Sequence, residues 1–219
     1  MKPDLIKPPL FLLCLAPLAW YAWGVQSDTL GANPIEALTR GLGTWALNLL
    51  LITLSVTPLR KYTGWAWLIR LRRMLGLFVF FYAALHLGAY LWFDQFFDWP
   101  AIAKDILKRP FITVGMISFI LLVPLAATSN GFAIRRMGGR RWQELHRSVY
   151  AIGILTVLHY AWMVKADLTQ PLLYGAVLAG LLGLRAFWMV QEKRRQLAGA
   201  YGGKPIRRII PIEARKSDR

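Results

Sequence analysis

Apolar residues run in six blocks along this chain, at 9–25, 44–59, 74–93, 111–128, 148–164 and 172–190, with the polar residues gathered between them. The hydrocarbon core of a bilayer is about 30 Å thick, and a helix crosses it in roughly 20 residues. Blocks of this length predict an all-α, polytopic membrane bundle of six transmembrane helices. MLGLFVFFYAALHLGAYLWF, residues 74–93, carries one histidine and no charge, and FITVGMISFILLVPLAAT, residues 111–128, no charge at all. The connections are short, so the expectation is a single transmembrane domain over 1–219 with a tail at 191–219. Lys2 and Lys7 precede the first block as in a signal peptide, but APLAWYAWG closes it with bulky aromatics where a small-residue cleavage site would stand. A retained first helix, kinked at Pro17, is expected.

Charge orients the bundle. Of 219 residues 56 % are hydrophobic, ten are Trp, and the net charge is +16. Loop 60–73 holds Arg60, Lys61, Arg70, Arg72 and Arg73 with no acid. Loop 129–147 sets Arg135, Arg136, Arg140, Arg141 and Arg147 against Glu144 alone, and the tail from 191 is strongly basic. Loops 26–43, 94–110 and 165–171 are close to neutral. Strict alternation of basic and neutral loops follows the positive-inside rule and predicts N-in/C-in topology with a basic cytoplasmic tail. The charge is thereby accounted for without nucleic acid, which is excluded as a partner in favour of the lipid bilayer. Cys14 is the lone cysteine and reads as a small packing residue, with no disulfide or thiolate cluster.

Three histidines, His86, His146 and His159, carry the candidate chemistry. A polar side chain at membrane depth is costly and faces the bundle interior. ELHRSVYAIGILTVLHY holds His146 and His159 thirteen residues apart, which on one helix means about 20 Å along the axis and roughly 140° around it. They cannot share a metal ion. His86 lies thirteen residues beyond Arg73, and His159 twelve beyond Arg147, on helices that both run outward. The pair therefore reaches one depth in the outer half of the bilayer, where two imidazoles on facing helices can supply both axial ligands of a haem. Zinc would want four ligands and no acid or thiol accompanies the pair; no CxxCH is present for covalent attachment. Haem b between His86 and His159 is the expected site.

His146, in RRWQELHR at the cytoplasmic surface, has Arg72 and Arg73 at its level on the third helix rather than a histidine. Three roles stay open for it: ligand of a second haem, contact for a flavin or quinone, or a hydrated helix cap. Arg135, Arg136, Arg140 and Arg141 can dock an acidic donor protein or hold a flavin phosphate. The Gly138–Gly139 pair lets backbone approach an anion. Topology determination and an ordinary turn explain the same residues.

LGLFVFFYAALHLGAY, RRWQELHRSVYAIGILTVLHYAW and SVTPLRK resemble the MsrQ (YedZ) family, the haem-binding membrane subunit of the bacterial periplasmic methionine sulfoxide reductase system. More widely they resemble the ferric-reductase-like transmembrane domain shared with NADPH oxidases. The resemblance covers helices one to six and implies b-type haem at His86, His146 and His159. It implies electron delivery across the bacterial inner membrane to a periplasmic molybdopterin methionine sulfoxide reductase, for protein repair. It further implies a cytosolic flavin reductase or the quinone pool as donor, and FMN as a second cofactor. Only 29 residues follow position 190, without G-x-G-x-x-G, so the expectation is an electron-transfer subunit that does not oxidise a nicotinamide unaided. Two alternatives stand beside it: a stand-alone transmembrane ferric or oxygen reductase, and a non-redox membrane scaffold with structural histidines.

Overall fold

A computed structural model describes residues 3–164 and 166–202. Lys165 and residues 203–219 of the expected basic tail lie outside the described residues. The chain divides into two compact units, 1–182 and 183–219.

Every regular element among the described residues is helical. Helices α1 (Pro3–Gln26), α2 (Pro34–Thr63), α3 (Arg72–Ala89), α5 (Pro110–Ala127), α8 (Val149–Met163) and α9 (Thr169–Gly202) correspond to the six apolar blocks, the third running on into a π-helical turn at Tyr90–Asp94. Five of them, α1, α2, α3 with its flanking turns, α5 and α9, are long and apolar enough to cross a membrane. The fifth block departs from expectation: α8 has 15 residues, about 22 Å at 1.5 Å per residue. Its N-terminus is set by a tight turn at Arg147–Ser148, where Ser148 N–H donates to Leu145 and Tyr150 N–H to Arg147. His146 and His159 are thus not on one unbroken helix.

The loops hold helices that the apolar pattern missed. Residues 94–110 contain α4 (Trp99–Lys108), started by the Asp98 carboxylate accepting from Ala101 N–H at 3.1 Å. Residues 129–147 contain α6 (Gly131–Met137), capped by Asn130 through Ala133 N–H at 2.8 Å, and α7 (Gly139–His146). Short polar side chains preceding a helix satisfy its first free N–H groups, so these caps define starts that hydropathy does not register.

Within the first unit α2 is the central helix. It packs on α1, α3 and α8, and α5 packs on α3 and α8. Leu42, Leu47, Leu49, Leu50, Leu54 and Val56 bury its apolar surface against its neighbours, where close van der Waals packing rather than exclusion of water holds membrane helices together. Asn33 caps its start and Gly64, in the left-handed region at φ 74°, closes its end by donating to Arg60. By contrast α1 turns Leu12, Leu13, Trp20 and Trp23 outward, as a helix does when lipid covers it. Its inward stripe is Cys14, Pro17, Tyr21 and Gly24, spaced at helical period.

Tyr82, wholly buried on α3, joins the two helices. Its hydroxyl donates to Cys14 C=O at 2.7 Å and accepts from Leu18 N–H at 3.2 Å. In an undisturbed α-helix these two backbone groups pair with each other. Pro17 between them removes one donor and crowds the preceding turn, and the phenol serves both groups there.

A candidate two-histidine site in a cavity between helices

His86 projects from α3 and His159 from α8, and their ring centres are 6.2 Å apart with planes inclined at 75°. Each ring is fixed by the backbone of a different neighbour. His86 Nδ1 donates to the Thr39 carbonyl of α2 at 2.8 Å, and His159 Nδ1 to the Phe111 carbonyl of α5 at 2.7 Å. A carbonyl can only accept, so Nδ1 carries the hydrogen and Nε2 keeps its lone pair in both rings. A metal held by two imidazoles sits about 2.0 Å from each nitrogen, which sets the ring centres roughly 6 Å apart. The observed separation meets that requirement.

Both rings line a cavity of about 710 Å³, within the size range of cofactor sites. Its walls are apolar over much of their extent, from Leu47 and Leu50 on α2 through Val79, Ala83 and Leu87 to Met116, Phe119 and Ile152. Its mouth is polar, with Asn33, Glu36, Arg40, Asp94, Gln95 and Arg109. Arg40 pairs with Glu36 one turn away, and Arg109 with Asp105 at 2.8 Å. Asp105 also accepts from the Tyr90 hydroxyl at 2.9 Å and from the Gln95 amide at 3.3 Å. The Thr39 hydroxyl, on the cavity wall, is buried with no protein partner. Among the described residues no three His, Cys, Asp or Glu side chains converge as a metal site. Two imidazole nitrogens, apolar walls and a polar mouth would suit a flat, largely apolar metal cofactor with polar substituents.

His146 lies apart. It does not line the cavity, and its Nδ1 is bonded within its own helix, to Trp142 C=O at 3.1 Å. The Trp142 indole stacks on it at 3.9 Å and donates through Nε1 to Thr128 C=O at 2.9 Å. His146 Nε2 is buried without a hydrogen-bond partner. Burial pulls its pKa below the ordinary histidine value; the backbone bond to Trp142 opposes this, and the Arg72 guanidinium adds to it.

The four arginines flank the turn between α6 and α7. Arg135 and Arg136 end α6, and Arg140 and Arg141 begin α7. Arg140 pairs with Glu144 at 3.1 Å on the surface. Gly138, at φ 77°, donates its N–H to Ile134 and accepts from Trp142 N–H, so the pair of glycines closes one helix and opens the next.

Two glycines absent from the sequence reading belong to the site. A Cβ on Gly43 would stand 3.0 Å from His86 Nδ1, and one on Gly115 2.9 Å from His159 Nδ1. For Gly115 the available signal was an isolated glycine inside the apolar block 111–128; Gly43 lies just before the block 44–59.

Residues 42–157 match the ferric reductase like transmembrane component family, over a span that includes His86 and His146 and ends just before His159. The chain is 61 % identical to the "Protein-methionine-sulfoxide reductase heme-binding subunit MsrQ" of Azospira oryzae, over 87 % of this chain and 80 % of that one. The protein of the same name from Herminiimonas arsenicoxydans is 53 % identical over 89 % and 91 % of the two chains. That from Ralstonia nicotianae is 50 % identical over 94 % and 100 %.

Proposed function

The chain belongs to the MsrQ family within the ferric-reductase-like transmembrane proteins, and from that premise we propose that it is the b-type cytochrome subunit of a methionine sulfoxide reductase system in the bacterial inner membrane. It is a multi-pass membrane protein. In this reading it crosses the membrane six times with both termini in the cytoplasm, as one transmembrane domain with a basic tail. Its task is to pass electrons to a periplasmic molybdopterin methionine sulfoxide reductase. The single observation that carries the reading is the 6.2 Å separation of two imidazoles, each with Nδ1 bonded to a helix carbonyl.

His86 and His159 would hold the haem, which when bound supplies reversible one-electron carriage. The chain's own work is to prepare the site. The Thr39 and Phe111 carbonyls keep each Nδ1 protonated, so both Nε2 lone pairs stay available and both ligands are made more basic. The leucine, phenylalanine and methionine walls exclude water. Arg40 and Arg109 at the mouth suit a cofactor with carboxylate substituents.

The donor side is read from the opposite end. The basic face of Arg135, Arg136, Arg140 and Arg141 suits an acidic flavin reductase or an FMN phosphate, and His146 is the residue there for a second haem, FMN or a quinone. A reduced-minus-oxidised spectrum of the purified protein tests the reading, with reoxidation by added periplasmic reductase in proteoliposomes. A protein without a b-type spectrum overturns it, and so does a reduced protein that the reductase and methionine sulfoxide cannot reoxidise.

A further inference from the structure

We infer that Gly43 and Gly115 are positioning residues that open one helix carbonyl each to a histidine, and that they thereby hold the two imidazole planes close to perpendicular. The inference rests on the haem reading above and deepens it.

The argument begins with helix geometry. Every Cα–Cβ bond in an α-helix tilts toward the N-terminus, so the side chain at position i+4 lies over the turn containing residue i. A carbonyl in mid-helix is therefore screened on its side by the residue four positions ahead. On α2 the accepting carbonyl is Thr39, and four residues on stands Gly43. On α5 the acceptor is Phe111, and four residues on stands Gly115. The same carbonyl-and-glycine pair occurs once for each histidine, on helices far apart in the chain.

Distances show that the imidazole takes the place of the missing methyl. A Cβ at position 43 would be 3.0 Å from His86 Nδ1 and 3.1 Å from its Cε1. At position 115 it would be 2.9 Å from both corresponding atoms of His159. Glycine is not used this way throughout the bundle. Gly76 and Gly88, on the same helix as His86, have open space where a Cβ would go, and Gly175 makes only an ordinary contact at 3.6 Å.

Because the acceptors are backbone atoms, the orientation of each ring is tied to a helix and not to a side-chain rotamer. Four helices then fix the angle between the planes, 75°. Parallel imidazoles donate π density into the same iron d orbital and split the pair strongly. Near-perpendicular imidazoles donate into both orbitals and leave them almost degenerate. The ferric low-spin site should accordingly give one strongly anisotropic large-g EPR feature in place of a rhombic three-line signal.

The experiment is EPR and redox titration of the purified haem-loaded full chain and of Gly115→Ala, Gly43→Ala and Gly88→Ala. The wild type is expected to show the large-g feature. Gly115→Ala, with the closest approach, should convert it to a rhombic or high-spin signal and lower haem retention on the order of tenfold. Gly43→Ala should do the same to a smaller degree, and serves alone if Gly115→Ala does not accumulate. Gly88→Ala should match the wild type. A rhombic wild-type signal overturns the inference. So does an unchanged spectrum in a haem-loaded glycine variant, or an equal change in Gly88→Ala. A wild type that binds no haem at all is a different result, since it removes the proposed function itself.

Discussion

His86 with His159, and His146 with Trp142, are two answers to the same problem of burying an imidazole. At the paired site the Nδ1 hydrogen goes to a carbonyl on another helix, and the ring faces a cavity of about 710 Å³. At His146 it goes to a carbonyl of the same helix, four residues back, and the ring faces an indole at 3.9 Å. The paired rings are oriented by the tertiary fold; His146 is oriented by its own turn. Burial of a histidine therefore says little about its task until the owner of its acceptor is known.

The largest test of this contrast is spectroscopic. Either His86→Leu or His159→Leu should abolish the low-spin haem signal of the paired site, whereas His146→Leu should leave that signal in place. Loss of it in the His146 variant alone would reverse the comparison. Next in size is Asp105→Ala, which strips Arg109, Tyr90 and Gln95 of a shared acceptor at the cavity mouth. Breaking this part-buried network should cost about 1–3 kcal/mol, read as a lower thermal midpoint in detergent, with faster haem loss. An unchanged midpoint would show that the mouth is held by other means.

Trp142→Phe keeps a ring against His146 but deletes the bond to Thr128. It should cost about 1 kcal/mol and leave the spectrum of the paired site untouched; a shift of that spectrum would couple the two regions. The smallest effect concerns neither site. Asp167 accepts from Thr169 N–H at 2.9 Å, and bonding to the Thr169 side chain and backbone lowers its pKa below 3.8. The stabilisation it gives is present above pH 3.8 and fades as pH falls through the depressed value. Asp167→Asn should slightly flatten the acid limb of a stability profile and change nothing near neutrality. A larger change would mean that Asp167 supports more of the fold than this one turn.

The sequence supports the helical class and the depth match of His86 with His159, because apolar run length and residue count along a helix are one-dimensional quantities. Counting from Arg73 and from Arg147 is enough to bring those two rings to one level. The break between His146 and His159 was not legible in this way, since hydropathy does not register the turn at Arg147–Ser148 that separates α7 from α8. Nor were α4, α6 and α7, whose starts depend on Asp98, Asn130 and a positive-φ glycine and not on apolar spacing. The accepting carbonyls of Thr39 and Phe111 were invisible for a deeper reason. Every residue has a carbonyl, so only the vacancy four positions later, Gly43 or Gly115, leaves a mark in the sequence.

Tyr82 also bears on how the bundle comes together. Backbone groups left unpaired in lipid cost several kcal/mol each, and Pro17 leaves α1 with a weakened turn. A single phenol on α3 supplies a donor and an acceptor at the one height where α1 needs both. Sliding α1 by one turn, about 5.4 Å, would carry Cys14 and Leu18 away from that hydroxyl. Assembly in the membrane is thus keyed: the proline sets the lock, Tyr82 is cut to fit it, and helices that meet out of step fail to engage.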